Sequence, residues 1–282
     1  MTEDEAAPAA MAAVPTRNLA VRIVAALVLA PAAIAMAYAG GWLWAALVTL
    51  AAVGLYVEWL AIVSETRRAP VLASGVVALA LAGIGLALGR IEFSLVMLLL
   101  GLLAATTLAP ERRGWTATGF VYAALAELAS ILLRSDPAKG WTALMLVFLV
   151  VWVTDIGGYF AGRGIGGPKL WPQVSPNKTW AGAIGGFAAS IAVAWGFAAF
   201  GLGKTGPMLL VGAVLSIVSQ LGDLFESAVK RRFGVKDSSH IIPGHGGLMD
   251  RLDGFVAAVV LAAIFGILRA GVDGAGRGLM VW

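Results

Sequence analysis

Residues 141–161 read W-T-A-L-M-L-V-F-L-V-V-W-V-T-D-I-G-G-Y-F-A, with Asp155 as their one charged side chain. An apolar run of about 20 residues, rising about 1.5 Å per residue as a helix, spans a hydrocarbon core of about 30 Å. Comparable runs occupy 20–38, 42–63, 71–89, 93–109, 119–133, 179–201, 207–226 and 252–271. The sequence therefore predicts an all-α polytopic membrane protein with about nine transmembrane helices.

Composition supports this fold class and excludes several functions. Hydrophobic residues make up 60% of the 282 and charged residues 13%, whereas soluble domains average about 45–50% and about 25%. The chain has no cysteine, which excludes disulfides and thiolate metal sites, and its two histidines, His240 and His245, are too few for a histidine-dominated metal cage. The net charge of +4 is spread over short loops, so a nucleic-acid partner is not predicted.

The distribution of charge predicts an orientation and a division of labour. Of the 20 Lys and Arg residues, fourteen fall on the side of the N-terminus and six on the opposite side, which favours N-in, C-out topology in a cell inner membrane. Residues 1–16 are predicted to be a disordered tail, 17–150 a helical scaffold with lipid access, and 151–282 the catalytic region. Its polar loops, 162–178 and 227–251, would then face the cytoplasm.

The region around the second loop combines intramembrane acids with loop cations. Asp223 lies about one turn inside its apolar segment, and Asp250 and Asp253 share a face at the start of the next one. A carboxylate at membrane depth costs about 2.5–3.5 kcal/mol unless it meets a cation or water. Three converging aspartates predict a Mg²⁺ site, with a second cation left open.

The same loop supplies groups suited to a triphosphate. Lys230, Arg231, Lys236 and His245 provide positive charge, and the Gly246-Gly247 turn can direct N–H groups at phosphate oxygens. The alternative is that these cations only set topology and the glycines only form a tight turn. That alternative leaves the acids inside the adjacent helices unexplained, so function is favoured.

A second cluster lies between 154 and 180. Asp155 is followed one turn later by Tyr159, and Ser175, Lys178 and Thr179 are predicted to open the next helix, where free N–H groups attract anions. The alternative is a helix cap beside a basic loop. Two further acids within predicted helices, Glu58 and Glu127, are equally compatible with structural and functional roles.

The stretch from Ser227 to Asp253, S-A-V-K-R-R-F-G-V-K-D-S-S-H-I-I-P-G-H-G-G-L-M-D-R-L-D, resembles the signature of the phosphatidate cytidylyltransferases. The segments G-D-L-F-E-S (222–227), D-x-G-x-Y (155–159) and S-P-x-K-T-W (175–180) extend the resemblance over about 100 residues, while the first half matches only as apolar helices. One departure is Ala181, where the family often has a glutamate.

The resemblance implies that CTP and phosphatidate react, with Mg²⁺, to give CDP-diacylglycerol and pyrophosphate. Resemblance, spacing and charge together predict three sets of site residues. The expected catalytic set is Lys230, Arg231, Lys236, Asp237, His245 and Arg251. The expected substrate-binding set is Asp155, Tyr159, Ser175, Asn177, Lys178, Thr179, Ser227, Gly246 and Gly247. The expected metal ligands are Asp223, Asp250 and Asp253.

Two other classes of function stay open at this point. One is another CTP-using membrane lipid transferase or a lipid-alcohol kinase, which would share the nucleotide chemistry and accept a different lipid. The other is an ion-coupled transporter, suggested by acids such as Asp155 and Asp223 within helices. Transporters place such acids near the midplane in paired halves, and here they lie at helix ends in one half. The sequence leaves a homodimer open.

Overall fold

The computed structural model describes residues 30–63, 68–239 and 246–282, which are predominantly helical. The helices are α1 (Ala30–Ala39), α2 (Gly41–Val63), α3 (Arg68–Ala87), α4 (Ile91–Leu108), α5 (Arg113–Ser135), α6 (Gly140–Gly164), α7 (Trp180–Ala199), α8 (Thr205–Arg232), α9 (Met249–Ala270) and α10 (Ala275–Met280). Within the described ranges, eight helices, α2 to α9, are long and apolar enough to cross a membrane. The prediction of an all-α polytopic membrane protein is confirmed.

The predicted helix at 20–38 is described only in part. Its residues from 30 onward form α1, and the remainder lies outside the described residues, as does the predicted tail at 1–16. The count of nine spans and the N-in orientation therefore stay predictions.

Helix α8 extends further than its apolar run indicated. It continues to Arg232, so Ser227, Lys230 and Arg231 are helical, whereas a loop was expected from 227. Basic residues in the last turn interact favourably with the helix dipole, and Gly234, at φ 72°, allows the chain to turn away. The connection to α9 is correspondingly shorter, from 233 to 248.

The loop before α7 contains an unpredicted β-hairpin. Strands β1 (Lys169–Trp171) and β2 (Ser175–Thr179) pair antiparallel, with Lys169 opposite Thr179. The expectation that 175–179 opens a helix is therefore correct only at Thr179, whose hydroxyl caps α7 by accepting a hydrogen bond from Gly182 N at 3.1 Å. A sequence with this few residues per strand carries little periodic signal, so the hairpin could not be read from it.

Two apolar cores fill the bundle. One joins α2, α3, α4 and α5 to the C-terminal part of α8 and the first turns of α9. The other surrounds α6 and includes parts of α5, α8, α9 and α10. Glycine lets α6 and α7 approach closely, because a Cβ on Gly186 would collide with the carbonyl oxygen of Thr154. As a result, Asp155 and the hairpin lie toward the same end of the bundle as the C-terminus of α8.

The opposite end is closed by α10. Asp136, which is 1% exposed, accepts hydrogen bonds from the backbone N–H groups of Arg277 (2.7 Å), Ala138 (2.8 Å) and Lys139 (3.3 Å). Burial by itself would raise the pKa of Asp136, but these hydrogen bonds and the Arg277 guanidinium outweigh it and hold that pKa below its usual value. The carboxylate thus ties the C-terminal helix to the turn between α5 and α6.

Candidate active site

The two polar regions predicted from the sequence meet at one end of the bundle. Lys178 of β2 forms an ion pair with Asp223 of α8. Asp155 of α6 and Asp253 of α9 lie close enough to interact electrostatically with both residues. We call Asp155, Asp223 and Asp253 the aspartate cluster. The cluster and Lys178 come from four separate elements, so motifs far apart in sequence form one region.

The aspartate cluster carries more negative charge than its lysine neutralises. Three carboxylates face Lys178, and the side chains of Lys178 and Asp223 are only 29% and 28% exposed. Asp253 also accepts a hydrogen bond from Gly254 N at 2.7 Å, and Ser227 donates weakly to Asp223 at 3.4 Å. Such an excess of partly desolvated negative charge favours the binding of a cation.

Buried oxygen atoms behind the cluster support the same conclusion. Tyr122 Oη, Ser219 Oγ and Glu226 Oε1 are buried and have no hydrogen-bond partner within the described part of the chain. Tyr122 interacts electrostatically with Asp253 and Glu226, so these atoms border the cluster. Unpaired buried oxygens next to carboxylates are chemically suited to a hard cation or to ordered water.

The expected ligand set of Asp223, Asp250 and Asp253 is not gathered at one point. Among residues 30–63, 68–239 and 246–282, no three acidic or histidine side chains are arranged so that they could hold one metal ion. The aspartate cluster is included in this result, so its three carboxylates lie near one another without converging on one point. Lys178 pairs with Asp223, and Lys230 pairs with Asp250. The chemistry of the aspartate cluster fits a divalent cation, but Asp250 belongs to a different network.

That second network is centred on Lys230. Its Nζ bonds Asp250 Oδ1 at 2.5 Å and Glu226 Oε2 at 2.7 Å, and only about a tenth of each of these side chains, or less, is exposed. Asp250 also accepts hydrogen bonds from Gly247 N at 2.9 Å and Ser238 N at 3.0 Å. The Lys230 network therefore fixes the end of α8 against the start of α9.

Glu58, from α2, is joined to this network through Ser238, whose hydroxyl lies 2.8 Å from Glu58 Oε2 and 3.1 Å from Asp250 Oδ2. The division into a scaffold at 17–150 and a catalytic region at 151–282 stays a prediction, and this contact links one side chain of the first region to the Lys230 network. The sequence signal was a carboxylate within an apolar segment, which did not distinguish structure from function. Ser238 gave no separate signal.

The other predicted cations remain on the surface. Arg231 donates to the carbonyl oxygen of Val235 at 3.0 Å, and Lys236 and Asp237 are exposed in the loop that follows. Arg251 is exposed on the first turn of α9. His245 lies outside the described residues.

The remaining predicted substrate-binding residues divide between the hairpin, α6 and the α9 approach. Ser175 and Asn177 are on β2, where Asn177 is exposed. Tyr159 is 58% exposed and accepts a hydrogen bond from Arg163 at 2.8 Å. Gly246, at φ 83°, precedes the buried Gly247, whose N–H points to Asp250.

An apolar cavity of about 410 Å³ adjoins the first turns of α9. Helices α1, α2, α5, α6 and α9 line it, and Arg251 is the one charged residue among the described residues of its wall. A cavity of this size lies in the range of small-molecule pockets. It combines an apolar interior with a cation on the helix that carries Asp250 and Asp253.

Comparison with known proteins agrees with this geometry. The profile of the cytidylyltransferase family matches residues 20–268. A phosphatidate cytidylyltransferase of Brucella suis biovar 1 (strain 1330) is 42% identical over 266 residues, which cover 91% of this chain and 96% of the relative. A relative of the same name from Staphylococcus haemolyticus (strain JCSC1435) is 50% identical over 134 residues, which cover 46% of this chain and 50% of the relative. Another from Haemophilus influenzae is 46% identical over 137 residues, which cover 46% of this chain and 47% of the relative. The resemblance read from the motifs is confirmed, and this chain belongs to the cytidylyltransferase family.

Proposed function

We propose that this protein transfers CMP from CTP to phosphatidate and releases pyrophosphate. A phosphate oxygen of phosphatidate attacks the α-phosphorus of CTP, the bond from that phosphorus to the bridging oxygen breaks, and CDP-diacylglycerol forms. The observation that carries this proposal is the pair of lysine–aspartate contacts, Lys178–Asp223 and Lys230–Asp250, beside an apolar cavity at the end of a membrane bundle. Relatives that cover nearly the whole chain are named for this activity.

The lysines would supply the charge that phosphoryl transfer requires. The phosphate of phosphatidate is already a nucleophile, so the enzyme has to position two anions and neutralise their charge. Lys178 and Lys230 are each held by a carboxylate, and a phosphate oxygen can replace that carboxylate as the partner. Exposed Arg231, Lys236 and Arg251 would add charge at the periphery.

Magnesium is part of the proposal, and the aspartate cluster is where it would be held. Asp223 and Asp253, with Asp155 beside them, offer hard oxygen ligands and an excess of negative charge. Asp250 would join them only if its contact with Lys230 opened. A bound Mg²⁺ would withdraw charge from the triphosphate as pyrophosphate leaves.

The lipid substrate and the membrane setting support one another. The protein is a multi-pass membrane protein, and the apolar cavity lies beside the aspartates, so a diacyl lipid could reach the site from the bilayer. We propose that the protein resides in the cell inner membrane with this site facing the cytoplasm, where CTP is present. The basis is the excess of Lys and Arg in the loops on that side.

A direct assay tests the reaction. Purified protein is incubated with labelled CTP, Mg²⁺ and a panel of acceptors that contains phosphatidate, other phospholipids and long-chain alcohols. We expect labelled CDP-diacylglycerol to form, with release of pyrophosphate, only when phosphatidate is the acceptor. Label appearing only in another lipid would favour the alternative transferase or lipid kinase, and CTP-independent solute uptake into proteoliposomes would favour a transporter.

Topology can be tested because the chain has no cysteine. A single cysteine at exposed Lys236 should react with a membrane-impermeant maleimide only after cells are opened. A cysteine at exposed Asp273, near the other end of the bundle, should react in intact spheroplasts. The reverse pattern would contradict the proposed orientation.

A further inference from the structure

Glu58 has an unusually complete set of hydrogen-bond donors for a carboxylate in a membrane helix. It is 1% exposed. Oε1 accepts hydrogen bonds from Ser239 Oγ at 2.6 Å and Leu248 N at 2.7 Å, and Oε2 accepts from Ser238 Oγ at 2.8 Å and Met249 N at 2.7 Å. Ser238, Ser239 and Leu248 belong to the segment between α8 and α9, and Met249 is the first residue of α9, at separations from Glu58 of 180 to 191 residues. A buried carboxylate with four donors is a fixed attachment point for that segment.

The two backbone donors give Glu58 the role of a helix cap supplied by another helix. The first N–H groups of a helix have no partner within it, and a negative charge near them is favourable. Leu248 stands at the N-cap position of α9 and provides no side-chain hydrogen bond of its own. Glu58 takes over that function and so determines where α9 begins.

Ser238 connects this cap to the active site. Its hydroxyl lies within hydrogen-bond distance of both Glu58 and Asp250, while its N–H also donates to Asp250 at 3.0 Å. Gly247 permits the close approach, because a Cβ there would collide with Ser238 Oγ and lie 2.7 Å from Glu58 Oε2. Asp250 in turn holds Lys230 at 2.5 Å. The chain of contacts from Glu58 therefore ends at a proposed phosphate-binding lysine.

We propose that Glu58 is a positioning residue for the transfer reaction: it holds Ser238, Ser239, Leu248 and Met249 so that Asp250 and Lys230 face the bound nucleotide. The inference rests on the proposed function, since it concerns the same site. Glu58 itself would touch neither substrate nor metal. Its effect reaches the reaction through Ser238 and Asp250, so its loss should change turnover more than it changes overall stability.

The test compares Glu58→Gln with Glu127→Gln in the full-length purified enzyme. Glu127 is a matched control, because it is also fully buried but bonds only Thr49 Oγ1 among the described residues. In Glu58→Gln the amide would turn an NH₂ group toward hydrogen-bond donors, which would displace the residues that Glu58 holds. A displacement of about 1 Å in catalytic groups can lower the rate on the order of 10²-fold. We expect kcat for CDP-diacylglycerol formation to fall about 10- to 100-fold in Glu58→Gln and to stay within about twofold of wild type in Glu127→Gln.

Two readouts separate positioning from a general structural role. Amide hydrogen exchange should accelerate in the peptide that contains Leu248 and Met249 and stay unchanged elsewhere. In a double-mutant cycle, Ser238→Ala combined with Glu58→Gln should lose little more activity than the worse single variant, since both act through the same contact. The proposal would be overturned if the double variant lost activity by the product of the two single losses, or if the Glu58→Gln enzyme had wild-type kcat.

Two further cases are distinguishable. If Glu58→Gln does not fold, Ser238→Ala carries the test: reduced kcat with faster exchange at Leu248 supports the proposal, and wild-type kcat rejects it. If wild-type protein fails to make CDP-diacylglycerol, the proposed function is wrong, while hydrogen exchange still reports whether Glu58 holds this segment.

Discussion

Replacing Asp250 with asparagine is the sharpest test of the Lys230 network. The aspartate accepts hydrogen bonds from Lys230 Nζ at 2.5 Å, Gly247 N at 2.9 Å and Ser238 N at 3.0 Å. Asparagine keeps the shape of the side chain, but it removes the charge and replaces one acceptor oxygen with a donor NH₂. Whichever way the amide is turned, either Lys230 or a backbone N–H loses its partner.

The size of the effect follows from burial. The side chains of Lys230 and Asp250 are 10% and 11% exposed, so solvent screens their contact weakly. A hydrogen bond to a charged group contributes about 1.5–3 kcal/mol, and Lys230 retains Glu226 at 2.7 Å as a second partner. We therefore expect Asp250→Asn to lower the free energy of unfolding by about 1.5–3 kcal/mol. An equal loss in the transition state would reduce kcat by about 10- to 150-fold, and more if Asp250 also binds Mg²⁺.

The assay measures CDP-diacylglycerol formation by purified enzyme at saturating CTP and Mg²⁺, alongside thermal unfolding in the same detergent. The control is Asp273→Asn, the same chemical change at an exposed site near the other end of the bundle, for which wild-type turnover is expected. A folded Asp250→Asn enzyme with near-normal turnover would refute the reasoning, because it would show that neither the lysine contact nor a metal contact of Asp250 is needed.

Three further predictions concern other parts of the molecule. Lys178→Ala removes a cation that is proposed to bind a substrate phosphate, so the KM for CTP or phosphatidate should rise at least about tenfold while the unfolding temperature stays unchanged. Unaltered kinetics would show that Lys178 does not bind substrate. Asp136, whose pKa is held below its usual value of 3.8, stabilises the protein above that pH and loses this contribution as pH falls through the lowered pKa. The difference in unfolding temperature between wild type and Asp136→Asn should accordingly be constant near neutral pH and shrink below about pH 4, and a pH-independent difference would contradict it. Ala51→Phe places a larger side chain in the apolar cavity, so turnover of long-chain phosphatidate should fall more than turnover of short-chain phosphatidate, with the KM for CTP unchanged. The control Leu50→Phe, at a position that is 70% exposed, should change turnover of neither lipid. Equal losses of turnover for both lipids would argue against acyl chains in the cavity.

The sequence predicted the membrane architecture well because span length is set by bilayer thickness and is visible in composition alone. It also picked out Asp155, Lys178, Asp223 and Asp253 as site residues, in two separate clusters, and the structure joins these clusters because the three aspartates lie toward one end of the bundle, next to β2. It did not reveal that α8 continues through Lys230, since polar residues at a membrane boundary are equally compatible with a helix or a loop.

Pairings between distant residues lay beyond sequence reasoning. Spacing could place Asp250 on the same face as Asp253, but which aspartate each lysine would take depends on how four helices pack. The same limitation applied to Glu58, whose partners are in a loop with no periodic pattern. Local rules describe neighbours along the chain, and these contacts are neighbours only after folding.

The span of about 180 residues between Glu58 and its donors has a consequence for biogenesis. During synthesis, α2 enters the membrane long before the segment at 238–249 leaves the ribosome. Until then its acid must find water, a proton or a provisional partner, at a cost of about 2.5–3.5 kcal/mol if it stays in lipid. The serines that follow α8 and the first residues of α9 relieve that cost when they arrive, and the same event brings Asp250 and Asp253 to the proposed site. We therefore expect a chain that ends before α9 to lack both the backbone partners of Glu58 and two aspartates of the proposed site, and so to be inactive.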